Sequence, residues 1–369
     1  MSNWKLFKIG DLCDTISETY KRNDDLVILI NTSDVLDGEV LNHEPVPNKK
    51  LKGQFKKTFK RNDILYSEIR PANKRFAFID FDDTARYIAS TKLMVLRARE
   101  DIVLPQYLFA VLKSQMIIEE LQHLAETRSG TFPQITFLSE LAPMEIMLPD
   151  FTTQHQIVSL LTSIEGKIKI NAAINENLAQ QAQAIYRSMF VSTPYESDRI
   201  GVLSELIAVK YGKDHKKLND GIYPVYGSGG IMRYVEKPIY EKESVLIPRK
   251  GSLNNVMYID EPFWSVDTMF YTEMKIANVA KYVFHFLRSK DLASLNAGSA
   301  VPSMTTDILN SMEVSIPSTE RLADFENLVA PLYRVMKDNV RQSNNLSLLR
   351  DTLLPKLMSG DIDVSEVKI

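Results

Sequence analysis

Two stretches of this chain carry apolar residues at alternating steps of four and three, the spacing that holds one stripe of a helix against a partner helix. The first stripe runs Ile157, Leu161, Ile164, Ile168, Asn171, Asn175, Leu178, Ala182, Ile185 and Met189. The second runs Phe325, Val329, Leu332, Met336, Asn339, Ser343, Leu346, Arg350, Leu353 and Leu357. The first predicts a helix over 157–189, about 50 Å long at 1.5 Å per residue, with Thr153 and Gln156 at capping-box spacing ahead of it. In the second, Pro355 predicts a kink or an end, and Gly360 a stop. The polar seam residues Asn171, Asn175, Asn339 and Ser343 straddle the middle of each stripe. Antiparallel pairing about a pseudo-twofold axis therefore predicts Asn175 beside Asn339, Asn171 beside Ser343, and Ile157 near Leu357. Such a polar layer fixes register, because a slipped alignment leaves amides facing aliphatic carbon.

The segments ahead of each stripe have a different rhythm. Leu26–Ile30, Phe76–Ile79 and Leu93–Leu96 are short apolar, β-rich runs between loops, followed by a helical pattern near Pro105–Ser114. The later segment follows suit: Gly221–Gly230, Ser244–Ser252 and Phe263–Tyr271 precede a helical pattern over Val279–Ser289. The two halves also match residue by residue. Gly130-Thr-Phe-Pro-Gln-Ile-Thr136 with Met144-Glu-Ile-Met-Leu-Pro149 returns, 168 residues on, as Gly298-Ser-Ala-Val-Pro-Ser-Met-Thr305 with Met312-Glu-Val-Ser-Ile-Pro317. Gln106–Ser114 resembles Lys281–Ser289, and Asp63-Ile-Leu resembles Ser244-Val-Leu. The expected organisation is α+β and internally duplicated, a mixed α/β globule and a long helix, written twice. The expected bounds are 1–151 and 193–318 for the two domains, and 152–192 and 319–369 for the helices, which pair as an antiparallel coiled coil.

Charge sharpens this picture. The net charge of -3 argues against general nucleic-acid affinity, but it is unevenly distributed. Lys49–Arg75 carries a local +8 and Lys210–Lys250 a local +4, so the remainder holds -15. The 369 residues, with 44% hydrophobic and 25% charged, are ordinary for a folded globular chain. The lone Cys13 rules out an internal disulfide and suits a reducing compartment. With no leader-like start and no long apolar run, a cytoplasmic protein without a membrane span is expected.

Catalytic motifs are wanting. There is no phosphate loop of the Gly-x-x-x-x-Gly-Lys-Ser/Thr kind, and Gly227-Ser-Gly-Gly230 lacks dinucleotide spacing. The five histidines are scattered singly, so no metal site is expected. Asp267 with Glu273-Met-Lys275 faintly resembles a magnesium-nuclease arrangement, at too short a spacing. The better-supported chemistry is cationic. Lys and Arg neutralise phosphates without regard to sequence, whereas base edges are read by Arg, Lys, Asn, Gln or Ser. Lys56, Lys57, Lys60 and Arg61 are too closely spaced to be buried and are expected on phosphates. Arg70, Lys74 and Arg75, with Arg249 and Lys250 in the second half, are expected on loops after strands that could enter a groove. Lys213, Lys216, Arg233 and the loop candidates Tyr226 and Ser228 complete the expected DNA-binding set.

The chain here resembles the specificity subunits of type I restriction-modification systems. The resemblance rests on Gly298-Ser-Ala-Val-Pro-Ser303, Ile146-Met-Leu-Pro149, Val314-Ser-Ile-Pro317, Gly221-Ile-Tyr-Pro-Val-Tyr-Gly-Ser-Gly-Gly230 and Leu353-Leu-Pro-Lys-Leu-Met-Ser-Gly-Asp361, and it spans nearly the whole chain. Where the family often leads into each helix with Pro-Pro and Glu-Gln, this chain has Pro149-Asp-Phe-Thr-Thr-Gln-His-Gln156 and Pro317-Ser-Thr-Glu-Arg321. The resemblance implies that each recognition domain reads half of a split, asymmetric site in double-stranded DNA. It implies that the helices set the gap and dock two methyltransferase subunits, which a restriction subunit can join. S-adenosylmethionine, ATP and Mg2+ then belong to the partners, with no cofactor and no catalysis on this chain. Two other readings make different forecasts. A stand-alone metal-dependent endonuclease cuts DNA without partners, and a coiled-coil scaffold keeps its DNA affinity unchanged when Lys56, Lys57, Arg249 and Lys250 are reversed in charge.

Overall fold

Contacts within the chain group it into two units, one of Met1–Ile170 with Arg341–Ile369 and one of Asn171–Val340. The structure, a computed structural model, describes residues 4–49, 53–128, 133–192, 198–295, 303–364 and 367. Lys50, Lys52, the Gly130–Phe132 part of the first repeated motif and the Gly298–Pro302 part of the second lie outside the described residues.

The first unit opens with β1 (Lys5–Lys8), the short helix α1 (Ile9–Leu12), β2 (Cys13–Thr15), β3 (Leu26–Ile30), β4 (Val35–Leu36), β5 (Glu39–Val40) and β6 (Val46–Pro47). It continues with β7 (Phe55–Lys57), β8 (Ile64–Ser67), β9 (Phe76–Phe78), β10 (Tyr87–Ser90), β11 (Leu93–Ala98), α2 (Pro105–Leu112), α3 (Gln115–Arg128), β12 (Glu145–Leu148) and the start of the long helix α4 (Phe151–Phe190). Strands pair in the orders β2-β11-β8-β9 and β6-β3-β10-β7, with a ribbon β1-β12 and a small hairpin β4-β5. β3 and β10 run parallel; the other pairs in these sheets are antiparallel.

The central strands are buried on both faces, which is why they read as unbroken apolar runs rather than alternating ones. In β8 and β11, Ile64, Tyr66, Met94 and Leu96 face a core shared with α2 and α3. Leu65, Leu93 and Val95, one residue out of phase, face a second core with Ile28, Ile30 and Ala89 of the other sheet. The first core also takes in Ile157 and Leu161 of α4 and Leu354 and Leu357 from the end of the chain.

The second unit contains β13 (Arg199–Val202), β14 (Ile207–Tyr211), β15 (Asp220–Gly227), β16 (Gly230–Val235), β17 (Ser244–Pro248) and β18 (Met257–Ile259). After these come β19 (Trp264–Ser265), β20 (Met269–Met274), α5 (Ala280–Arg288), α6 (Thr306–Asn310), β21 (Glu313–Ile316) and the start of α7 (Thr319–Ser359). Its orders, β14-β20-β17-β18 and β16-β15-β19 with a ribbon β13-β21, retrace those of the first unit except that β7 and the β4-β5 hairpin have no counterpart among the described residues; the one parallel pair recurs as β15 with β19. The out-of-phase burial also returns: Val245 and Ile247 face one core and Leu246 the other.

Three expectations about the helices need correction. α4 is 40 residues long and starts at Phe151, not 157. Its first turn is capped by Asp150, whose Oδ1 accepts from the Thr153 N–H at 2.9 Å, so Thr153 and Gln156 form no capping box. Pro355 does not end α7, which runs through to Ser359. Pro355 forgoes one hydrogen bond, but Leu354, Leu357 and Met358 are buried and keep that turn in place. Gly360 does end it: its φ is +79°, and a Cβ there would lie 2.8 Å from the Trp4 ring.

Within the second unit the seam amides meet. Asn339 Nδ2 donates to Asn175 Oδ1 at 2.8 Å, and Asn175 Nδ2 to the Met336 carbonyl at 3.0 Å. Asn171 Nδ2 points to the Asn339 carbonyl at 3.4 Å. Tyr186 packs on Phe325, so along this stretch numbers rise on α4 as they fall on α7.

Candidate nucleic-acid interface

In the first unit, strand alternation sorts the predicted cations. Lys56 on β7 is exposed, and among the described residues its side chain has no partner. Lys57, the next residue, turns inward, and its Nζ donates to the carbonyls of Leu93 at 2.8 Å and Thr91 at 3.1 Å. Burial lowers its pKa from the ordinary lysine value. Lys57 thus ties β7 to the turn before β11 and is half-buried, contrary to the expectation that this cluster is too crowded to bury any member. Lys60 is exposed. Arg61 is exposed as well but pairs with Asp82 at 2.8 Å.

The loop from β8 to β9 carries the other three. Arg70 and Lys74 are exposed, and neither side chain has a hydrogen-bond or ionic partner among the described residues. Each has left-handed backbone, φ 45° and 52°, flanking a tight turn at Pro71–Asn73. Arg75 is instead tethered, donating to the carbonyls of Ser33 at 3.0 Å and Val35 at 3.3 Å. A residue not singled out from the sequence, Lys92, joins this edge: its Nζ reaches Glu68 at 3.5 Å and Gln134 at 3.3 Å. Nothing in the sequence distinguishes Lys92 from any strand-flanking lysine.

In the second unit the loops after β14, β17 and β19 and the β15–β16 turn are bonded together at one edge. The Lys213 N–H donates to the Ser265 carbonyl at 2.8 Å, and the Trp264 indole N–H to the Lys213 carbonyl at 2.9 Å. The Arg249 guanidinium donates to the Asp267 carbonyl at 3.0 Å and stacks over exposed Tyr211 at 5.6 Å. Asn255 Nδ2 donates to the Ser228 carbonyl at 2.7 Å. Lys213, Lys216 and Lys250 are exposed. Ser228 and the cations Lys213, Arg249 and Lys250 therefore share this edge, together with Tyr211 and Asn255, which the sequence did not flag.

Two more of the predicted residues, in this unit, are tied into the fold. Tyr226 lies within β15, not in a loop, and its ring is buried beside Phe263. Arg233 braces the hairpin base, donating to Asp220 Oδ1 at 2.8 Å and the Leu218 carbonyl at 2.9 Å. The faint nuclease arrangement also dissolves. Glu273 pairs with Lys210 at 3.4 Å, and no group of three His, Cys, Asp or Glu among the described residues is placed to hold a metal ion.

The family profile described as the type I restriction modification DNA specificity domain matches residues 1–180 and 194–324. The chain belongs to the type I restriction-modification specificity subunit family. It is 29% identical to the type I restriction enzyme HindI specificity subunit of Haemophilus influenzae, over 98% of this chain and 100% of that one. It is 22% identical to the MjaIX specificity subunit of Methanocaldococcus jannaschii, over 73% and 71% of the two. Among solved structures, the S subunit of a type I restriction-modification system from M. genitalium superposes with a TM-score of 0.58 at 19% identity, covering 97% of this chain and 96% of that one. A chain of a type I system solved for its complex assembly and conformational transition superposes with 0.51 at 16% identity, covering 97% and 98%. These likenesses establish the shared fold. Among the described residues, no helix is long and apolar enough to cross a membrane.

Proposed function

We propose that each unit's mixed α/β domain reads one half of a bipartite, asymmetric site in double-stranded DNA. The long helices set the distance between halves and dock two methyltransferase subunits, which restriction subunits can join. Methyl transfer from S-adenosylmethionine, and ATP- and Mg2+-dependent steps, fall to those partners, so this chain is a non-catalytic recognition subunit of the cytoplasm. The observation that carries this reading is the recurrence, in both units, of a cation-bearing loop directly after the central strand. Arg70 and Lys74 follow β8, and Arg249 and Lys250 follow β17, each loop on a sheet of the same strand order. That recurrence supports an internal duplication, and the amide contacts of Asn171, Asn175 and Asn339 support an antiparallel coiled-coil spacer with Ser343 in its seam.

Exposed lysines bind phosphate and release counterions, so their loss acts on all sequences and depends on salt. The test is duplex DNA binding by the chain assembled with its methyltransferase subunits, comparing wild type with Lys56→Glu, Lys60→Glu, Lys213→Glu and Lys250→Glu combined. A large, salt-sensitive loss is expected. Unchanged affinity would leave only a scaffold.

A further inference from the structure

The two loops can be aligned bond by bond. In the first unit the Ile135 N–H donates to the Glu68 carbonyl at 2.8 Å, and Ile69 bridges Gln134. In the second the Met304 N–H donates to the Arg249 carbonyl at 2.9 Å, and Lys250 bridges Ser303. Glu68 thus corresponds to Arg249, Ile69 to Lys250, and Arg70 to Gly251. Both members of the last pair have left-handed backbone, φ 45° at Arg70 and 85° at Gly251. Glycine meets no steric penalty there, and an arginine does.

The first unit therefore holds an arginine where its counterpart has the residue the backbone favours. At Gly251 no side chain fits easily, since a Cβ would lie 2.9 Å from Ser228 Oγ. At Arg70 the side chain is exposed. The loop that carries it is anchored on three sides. The Arg70 N–H donates to the Pro133 carbonyl at 3.1 Å, the Ala72 N–H to Gln122 Oε1 at 3.1 Å, and the Asp37 N–H to the Lys74 carbonyl at 2.8 Å. A strained residue on a braced loop, with a guanidinium unpartnered among the described residues, is the mark of a side chain kept for what it touches outside the chain. The corresponding arginine of the second unit sits two positions earlier, at Arg249, and there it is stacked and bonded.

Resting on the DNA-reading function above, we infer that Arg70 is the specificity-determining residue of the first unit's loop. Its planar fork pairs with O6 and N7 of a guanine in the half-site that unit reads. The arginine's place in the loop, position 70 in one unit and 249 in the other, contributes to making the two half-sites different.

The experiment is selection of binding sites from a random duplex DNA library by the full chain with its methyltransferase subunits, alongside the melting temperature of each variant. Wild type should select a bipartite motif; if it selects none, the DNA-reading function itself fails and this inference with it. Arg70→Gly should melt no lower than wild type, and its loss of affinity for random DNA should be much smaller than its loss for the selected motif. It should lose at least about tenfold of the preference for one G·C pair, in one half only. Arg70→Lys, which keeps the charge but not the fork, should lose the same preference. If wild type selects its motif and Arg70→Gly selects it with equal stringency, the inference alone is overturned. A loss spread evenly over all sequences, or a fall in melting temperature for Arg70→Gly, overturns it too, by showing a phosphate contact or a structural arginine.

Discussion

The two units solve one structural problem, fastening a recognition domain to long helices, with different chemistry. In the first, α2 packs through Tyr107, Leu108, Val111 and Leu112 into a core with Ile157, Leu161, Leu354 and Leu357. The buried Gln154 is satisfied by backbone, accepting from the Leu104 N–H at 2.9 Å and donating to the Pro149 carbonyl at 2.9 Å. In the second, the corresponding α5 buries Lys281 and His285. Lys281 Nζ donates to Glu326 at 2.7 Å and Glu243 at 3.2 Å, and sits over the rings of Tyr258 and Tyr333. His285 donates from Nδ1 to Gln183 Oε1 at 2.7 Å, accepts at Nε2 from the Tyr333 hydroxyl at 3.0 Å, and stacks on Tyr186. An aliphatic junction loses stability in proportion to the volume removed. A polar one fails abruptly when a single partner goes, because the group left behind is buried without compensation.

The sharpest break in this contrast is Lys281→Ala, which strands Glu326 and removes two cation–π contacts. A loss of about 4 kcal/mol is expected for the second unit. The chain has two tryptophans, Trp4 in the first unit and Trp264 in the second. Urea unfolding followed by Trp264 fluorescence in a Trp4→Phe background therefore reports the second unit. Lys281→Met together with Glu243→Gln and Glu326→Gln should lose much less.

Acid should act on the same junction. Burial, aided by the nearby Arg288 charge, pushes the His285 pKa down from 6.5 to about 4. The unfolded chain then binds a proton at a pH where the folded one does not. Stability from this group is complete above about pH 6.5 and falls by up to about 3 kcal/mol as pH drops to 4. His285→Gln should flatten that slope, read from urea midpoints across the same range.

In the first unit, Leu357→Ala should cost about 2–3 kcal/mol with no such pH dependence, measured by Trp4 fluorescence in a Trp264→Phe background. Smaller still, Asn175→Leu strands the Asn339 amide and should cost about 1 kcal/mol. Asn175→Leu with Asn339→Leu should restore or raise stability while loosening the register. Spin labels on α4 and α7 would show that as a broadened distance distribution.

Much of this arrangement was legible in the sequence. The four-three stripes identified both long helices, and the central placement of the polar residues anticipated Asn175 beside Asn339, because residue spacing alone sets which positions meet. The double-faced strands were visible as apolar runs. What escaped were matters of tertiary packing. Lys57 looked like a surface cation because its neighbours are; only the carbonyls of Thr91 and Leu93, distant in sequence, make burying it worthwhile. Tyr226 looked like a turn residue because glycines follow it, yet the turn begins at Gly227 and the ring belongs to the core. Pro355 looked like a helix end because local chemistry argues so, and the core around Leu354 and Leu357 overrides it. The left-handed backbone at Arg70 leaves no trace in sequence, since arginine has no preference for it.

The central claim is that the two recognition domains act as separate readers, and its most direct test is a methylation map of the host genome. Cells carrying the intact chain are compared with cells in which residues 1–130 come from another family member. One half of a bipartite methylated motif should change, while the other half and the gap between them stay fixed. If both halves change together, or no methylated motif depends on this chain, the account is contradicted.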